Sequence, residues 1–560
     1  MRGESGSAPA PLTGFQPGQT KPLTGTGTTP AHTWLHLGAG NIFRIFLAAL
    51  QQDLINAGDA DDAGDAKDAN EANGTLAVCE CFDEEIIPTV FTPYDNEVMA
   101  VTLHASGGIE KRRITSIAEA FGRDKERLAE VVSHPDLQMV SLTITEKGYA
   151  VTSALVGHKL ENVETTLECL TAALYARFNN GAKPLALVAM DNFAANGDVL
   201  KNAVTTIARV WRDNGSVPEV FVSYVSALAY PWTMIDKITP HPSEAVAKML
   251  AEVGFTHTAI TKTKKGTFIA PFVNAEASQY LVMEDRFPNG KPPFEKLKSA
   301  GVYLTDRETV RKVDHMKVCA CLNPLHTILG VCGMLLGYPT IAACMRDPRL
   351  VAFVRKAANE ALPAVAHPGI IDPRAFLEEV LTVRFPNPFI PDTPARIVTD
   401  CSQKIPIRFG QTLKALYETG VNGAEVDETR VDGTGGARGL RSLEGEVARC
   451  NPLAPPLPSP RTVPSPEAIP LLIALWLRYR LGWADDGARL TLAPDPLVPE
   501  KIAALEGLPF GTAVDLKEIL KDEKQFGVDL YQVGLGERIE GLFAEAAKGP
   551  GAVEGMLQRI

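Results

Sequence analysis

The feature that most constrains this chain is a change of rhythm near residue 305. Before it, short apolar runs alternate with stretches long enough for a helix: TWLHLGAG, TLAVCE, QMVSLTIT, LALVAM and EVFVSYV. Runs that are apolar at nearly every position read as strands buried on both faces, and their alternation with helices implies a doubly wound parallel sheet. After about Asp306 the pattern turns helical, through RKVDHMKVCAC, HTILGVCGMLL, PRAFLEEVLTVRF, AIPLLIALWLRYRL and DLKEILKDEKQ, and strand signals almost vanish. The expected fold class is α/β, with a Rossmann-like doubly wound domain over about 31–305 and a mostly α-helical domain over about 306–560.

The surplus of the 560 residues falls into three stretches. Residues 1–30, rich in Gly, Ser, Thr and Pro, read as a disordered tail. Gly58–Gly74 is acidic, small and aperiodic, and reads as a solvated loop. Residues of about 425–466, Gly-rich and then Pro-rich, read as a flexible insertion.

Charge narrows the partners. Lys and Arg number 55 against 67 Asp and Glu, a net charge of −12, which argues against nucleic acid. The nine Cys are scattered and read as reduced thiols of a cytoplasmic protein. The most apolar stretch, Val318–Gly337, is interrupted by Asn323, Pro324 and His326. It therefore reads as buried helix rather than a membrane span. The opening residues lack the apolar core of a secretory signal. No exposed heptad pattern argues for an oligomer, and a monomer or weak oligomer is expected.

The first motif is LHLGAGNIFR, Leu35–Arg44. A strand runs into Gly38 and Gly40 and then into an amphipathic helix carrying Phe46, Leu50 and Leu54. Gly38, Ala39, Gly40, Asn41 and Ile42 suit a turn that brings backbone close to a pyrophosphate at a helix N-terminus. Phe43 stands where the usual fingerprint has its third glycine, so a plain strand–helix turn remains the alternative. The next strand, TLAVCECFD, ends in Glu80. A carboxylate there can accept both ribose hydroxyls of adenosine and repel a 2′-phosphate, which favours NAD over NADP. Asp83 is the reserve for this role.

Further segments follow in order: TEKGY (Thr145–Tyr149), MDNFAANG (Met190–Gly197), MIDKITP (Met234–Pro240) and QYLVMEDRFPNGKP (Gln279–Pro292). After them come MKVCACLNPLH (Met316–His326) and DTPARIVTDCSQKIP (Asp392–Pro406). Their order and spacing, from about residue 33 to about 410, resemble the mannitol dehydrogenase family. This group of polyol-specific long-chain dehydrogenases includes fructuronate and tagaturonate reductases. The resemblance implies NAD as cofactor, with Thr145, Glu146 and Lys147 near it. It implies Lys317 as catalytic base, Asn192 and Asn323 holding the reacting oxygen, and His326 orienting the substrate. Arg396 and Lys404 match the family's later Arg and Lys, which contact distal substrate oxygens, and Asp236 matches an acid near the site. The substrate would be a sugar acid or polyol. D-fructuronate with D-mannonate is favoured over mannitol with fructose, and a non-catalytic NAD-binding sensor is the alternative of a different class.

These roles suit elementary chemistry. Oxidising a secondary alcohol needs a base for the hydroxyl proton, and a lysine can serve when donors hold the developing oxyanion. One departure stands out. The family has four residues between its Lys and Asn, whereas VCACL makes five here. One extra residue turns an α-helix by about 100°. Lys317 therefore needs a bulge to reach the site, and Lys312 is the other candidate. Bland readings exist for each residue: Asn323 before Pro324 as a helix start, His326 as a core histidine, and Arg396 with Lys404 as a solvated basic pair. No metal site is expected, because no CxxC pair exists and Cys319 and Cys321 point to different helix faces.

Overall fold

In a computed structural model the described residues are 32–61, 75–151, 158–418 and 466–560. The tail, most of the acidic loop and nearly all of the Gly- and Pro-rich insertion lie outside them. The helix Ala48–Asp61 continues into the beginning of the expected acidic loop, a correction that suits an Ala-containing segment.

Five parallel strands form the central sheet, in the order Ile117–Phe121, Leu76–Cys79, Trp34–Leu37, Met139–Leu142, Ala186–Ala189. This is the doubly wound order, in which the chain moves outward from the first strand to one edge, then returns and continues to the other. Apolar side chains pack on both faces of the sheet, which is why its strands lack alternation.

One expected strand is absent. EVFVSYV forms the helix Glu219–Ala227, which buries Phe221, Val222 and Val225 and leaves Val220 exposed. That is helical spacing, and a short apolar run rich in β-branched residues does not distinguish the two periods. The strand Ile117–Phe121 takes the remaining place in the sheet instead. Its outer residues are partly exposed, as befits an edge.

Two three-stranded sheets and a two-stranded ribbon, Thr261–Lys262 with Phe268–Ile269, complete the strands. The strands Val302–Thr305, Tyr280–Glu284 and Thr233–Asp236 form one three-stranded sheet, and Phe272–Glu276, Val98–Leu103 and Ile109–Ile114 form the other. Beyond Thr305 the described residues are helices and loops apart from one isolated bridge. Their core includes the helix Ala468–Tyr479, which is buried at every position. The segment Arg307–Leu336 is long and apolar enough to cross a membrane, yet most of its apolar window is packed inside the fold.

His36 shows how tightly the first strand is held. Its Nδ1 lies 2.6 Å from Ser141 Oγ and its Nε2 2.9 Å from Thr143 Oγ1, and burial pushes it down to about 3. The fold thus holds the neutral ring. Below pH 6.5 the unfolded chain takes up a proton that the folded chain does not. Stability should therefore fall by up to about 1.4 kcal/mol per pH unit from about 6.5 towards 3 on this account alone. Urea unfolding between pH 7 and 4 should show a shallower slope for His36→Asn than for wild type.

Candidate active site

The first part of the site is the turn after strand Trp34–Leu37. Gly38 has φ +106°, and a Cβ there would collide with the carbonyl oxygen of Thr143. Gly40, Asn41 and Ile42 sit half-buried where the next helix begins, and first-turn N–H groups have no intrahelical partner. Phe43 fits in place of a third glycine because its ring stacks on His36 at 4.5 Å and the turn Phe43–Leu47 is π-helical. Gly38→Ala should raise the KM for a dinucleotide by at least about tenfold, since the turn must open to admit the methyl group. Steady-state titration of the cofactor would measure it.

The two acidic candidates for the ribose lie differently from expectation. Glu80 is buried beneath the turn. Its Oε2 accepts from Ala39 N at 2.7 Å, and its Oε1 accepts from Phe82 N at 2.8 Å and Asp83 N at 3.1 Å. The carboxylate thus braces the glycine turn, with part of its lone-pair capacity left over. Asp83, the reserve, is buried and already engaged: it accepts from Thr263 Oγ1 at 2.7 Å and from Glu85 N at 3.3 Å. Between them Phe82 is 62% exposed, an apolar face beside the turn.

TEKGY and MDNF meet through Asp191. Its carboxylate accepts from Ile144 N and Thr145 N, each at 2.9 Å, and from Tyr149 Oη at 2.7 Å. These bonds hold Thr145 at a positive φ and present Thr145, Glu146 and Lys147 on an exposed short helix. The neighbouring Asn192 is exposed and turned towards the helical half of the chain.

Lys317 comes from that half and is fully buried. Its Nζ donates to Asn192 Oδ1 and to Ile235 O at 3.3 Å. The five-residue spacing to Asn323 is absorbed by a π-turn over Lys317–Cys321, closed by Leu322 N donating to Lys317 O at 3.2 Å. Lys317, and not Lys312, is the lysine that reaches Asn192. With Asn192 Oδ1 on the ammonium, its Nδ2 is the donor left for a ligand. Asn323 opens the helix Asn323–Leu336 beside Pro324, half-buried and with no partner for its side-chain amide among the described residues.

Around this pair lies a charge cluster, most of it brought together only by the tertiary fold. Arg384 donates to both oxygens of Asp236, at 2.6 and 3.1 Å, and to both of Glu276, at 2.7 and 3.0 Å. All three are buried. Burial opposes the charge on Asp236, but Arg384 and then Lys317 hold its carboxyl below the usual range. The acid expected near the site is thus present as one side of a buried ion pair. His326 Nε2 lies 2.8 Å from Asp392 Oδ2, and Arg396 Nε donates to Asp392 Oδ1 at 2.6 Å. Against burial, the hydrogen bonds from His326 and from the Arg396 guanidinium hold Asp392 at about 2. Arg396 itself is 64% exposed at its side chain. Lys404 donates to Ile397 O at 2.9 Å and Thr399 O at 2.5 Å. Arg408 donates from Nη1 to Asn323 O at 3.1 Å and Thr327 Oγ1 at 2.6 Å.

Arg384, Glu276, Asp392 and Arg408 were therefore missed from sequence. One signal existed for two of them. Asp392 and Arg408 stand four residues from Arg396 and Lys404, a helical step that places them on a shared face. Four π-turns occur among the described residues, and each carries a cation: Arg44, Lys317, Arg384 and Arg408.

Comparison with known proteins identifies the family. Residues 32–296 match the family model of the mannitol dehydrogenase Rossmann domain, and residues 309–427 match that of the mannitol dehydrogenase C-terminal domain. The chain is 42% identical over 547 residues to the D-mannonate oxidoreductase of Thermotoga maritima, covering 94% of this chain and 92% of that protein. It is 26% identical over 403 residues to the D-mannonate oxidoreductase of Escherichia coli, covering 69% and 76%. The mannitol 2-dehydrogenase of Pseudomonas fluorescens, solved with NAD and D-mannitol, superposes with a TM-score of 0.63 over 94% of each chain at 22% identity. That last likeness is one of fold. With both family models matched in order along the described fold, the chain belongs to the mannitol dehydrogenase family of oxidoreductases.

Proposed function

We propose that this chain is an NAD-dependent oxidoreductase interconverting D-fructuronate and D-mannonate, with Lys317 as the acid and base. The observation that carries the reading is the Lys317–Asn192 contact, in which a lysine of the helical half is anchored at the sheet beside a free amide. Likeness to a D-mannonate oxidoreductase over nearly the whole chain supports the substrate.

In this reading residues of about 31–305 hold the cofactor and about 306–560 supply most of the substrate pocket. The glycine turn, packed so close to Thr143 O that Gly38 has no room for a Cβ, fits a dinucleotide. Gly38–Ile42 would lie along the pyrophosphate, Glu80 and Phe82 at the adenosine end, and Thr145–Lys147 on the nicotinamide side. When bound, NADH supplies the hydride that adds to the ketone carbon. The Lys317 ammonium gives its proton to the ketone oxygen as the C–O double bond becomes single. Asn192 Nδ2 and the Asn323 amide donate to that oxygen while negative charge develops on it. In oxidation Lys317 takes the hydroxyl proton back. We place the protein in the cytoplasm, acting on a small sugar acid as a monomer or weak oligomer.

The test is NADH consumption at 340 nm with D-fructuronate, D-tagaturonate and D-fructose, repeated with NADPH. The reading requires the highest kcat/KM for D-fructuronate with NADH. Preference for D-fructose would favour a mannitol dehydrogenase, and NADPH preference would contradict the placing of Glu80 at the adenosine end.

A further inference from the structure

The cations of the site are not equally neutralised. Arg384 has two carboxylates, and Arg396 shares Asp392 with His326. Lys404 is held by two carbonyl oxygens. Arg408 has only the carbonyl of Asn323 and the hydroxyl of Thr327, both on Nη1. Among the described residues no carboxylate pairs with it, and its Nε and Nη2 have no acceptor. These two nitrogens are not among the sealed, unpartnered atoms of the core, unlike Nε and Nη1 of Arg44. They therefore open onto space beside Asn323.

The surroundings sharpen this asymmetry. The charges acting on Lys404 include the like charges of Arg408 and Arg396, and Arg408 also acts on His326. Burial pushes the Arg408 guanidinium down to about 10, the mark of a cation whose desolvation is not offset. A guanidinium with one edge fixed to the protein and another edge free presents donors suited to a carboxylate. Its fixed edge rests on Asn323, the residue assigned to the reacting oxygen. A substrate carboxylate held there would lie beyond that oxygen, as in a six-carbon chain with its ketone and carboxylate far apart.

We infer that Arg408 is the specificity residue that binds the substrate's carboxylate, the role that Arg396 and Lys404 would otherwise be given. The inference rests on the ketouronate reading above and names its determinant. Arg396 reaches into solvent and is neutralised by Asp392, so it adds little net charge to the pocket.

Arg408→Gln tests this, because glutamine keeps a neutral, polar amide at the position while losing the charge and the fork. The ratio of kcat/KM for D-fructuronate to that for D-fructose should fall at least about 50-fold, mainly through KM. A second readout is the quenching of NADH fluorescence when D-mannonate or D-mannitol binds the enzyme–NADH complex. D-mannonate binding should be lost in the variant. Arg408→Lys, which keeps a point charge without the fork, should lower the ratio by about tenfold and serves if the glutamine variant does not fold.

Equal loss on both substrates would overturn the inference, because Arg408 would then act only through Asn323. Unchanged D-mannonate binding in Arg408→Gln would overturn it while leaving the ketouronate reading intact. A wild type that binds no D-mannonate yet reduces D-fructose would overturn the reading itself, and the inference with it.

Discussion

Lys317→Met should lower kcat for ketone reduction by about 10²- to 10⁴-fold, the range expected when a positioned general acid is removed. NADH affinity should change by less than about threefold, since the glycine turn does not include Lys317. Methionine fills much of the same volume, so the buried site keeps its packing. Two effects add to the lost proton donor. Asn192 loses the ammonium that directs its Oδ1, and its amide is free to turn away from the substrate oxygen. Asp236 loses one of the two cations that hold it ionised. Stopped-flow absorbance at 340 nm would separate the chemical step from product release. A variant that kept wild-type single-turnover rates would remove Lys317 from the mechanism.

The second large effect is on stability. Arg384→Met should cost about 3–5 kcal/mol, because it leaves Asp236 and Glu276 buried without their shared cation. Lys317 offsets part of this for Asp236. Glu276 is already raised by burial, against the pull of Arg384, and would take up a proton in the variant. Combining Arg384→Met with Asp236→Asn and Glu276→Gln should recover more than half of the loss, since the buried charges are then gone. Urea unfolding of the single and triple variants measures this. A single variant within about 1 kcal/mol of wild type would mean that water reaches the cluster.

The contrast between these two residues shows what a sequence can reveal here. Lys317 lies in a dense local motif, MKVCACLNPLH, and even its irregularity was readable: one residue too many demands a bulge, and a π-turn lies there. Gly38 was equally legible, because a strand entering a glycine turn is a local event. Arg384 was not. Its partners, Asp236 and Glu276, come from strands of two different small sheets, and only the packing of those sheets under the turn Val380–Arg384 brings them together. The segment EVFVSYV failed for another reason. Its composition favours strands, but the end of the sheet was closed elsewhere and the segment became a covering helix. Glu80 follows its strand directly, as the pattern indicated, yet its carboxylate turned under the backbone, a choice of side-chain partner that spacing cannot express.

The measurement that tests the central claim most directly is chemical rescue. Lys317→Ala removes the amine and leaves a gap beside the exposed Asn192, which a small primary amine can enter. With NADH and D-fructuronate saturating, the rate of the variant should rise in proportion to added methylamine and, across a series of similar-sized amines, follow their basicity. The wild-type rate should not change. A variant whose residual rate is the same with and without amine, while it still binds NADH and D-mannonate, would contradict the assignment of Lys317 as the group that carries the proton.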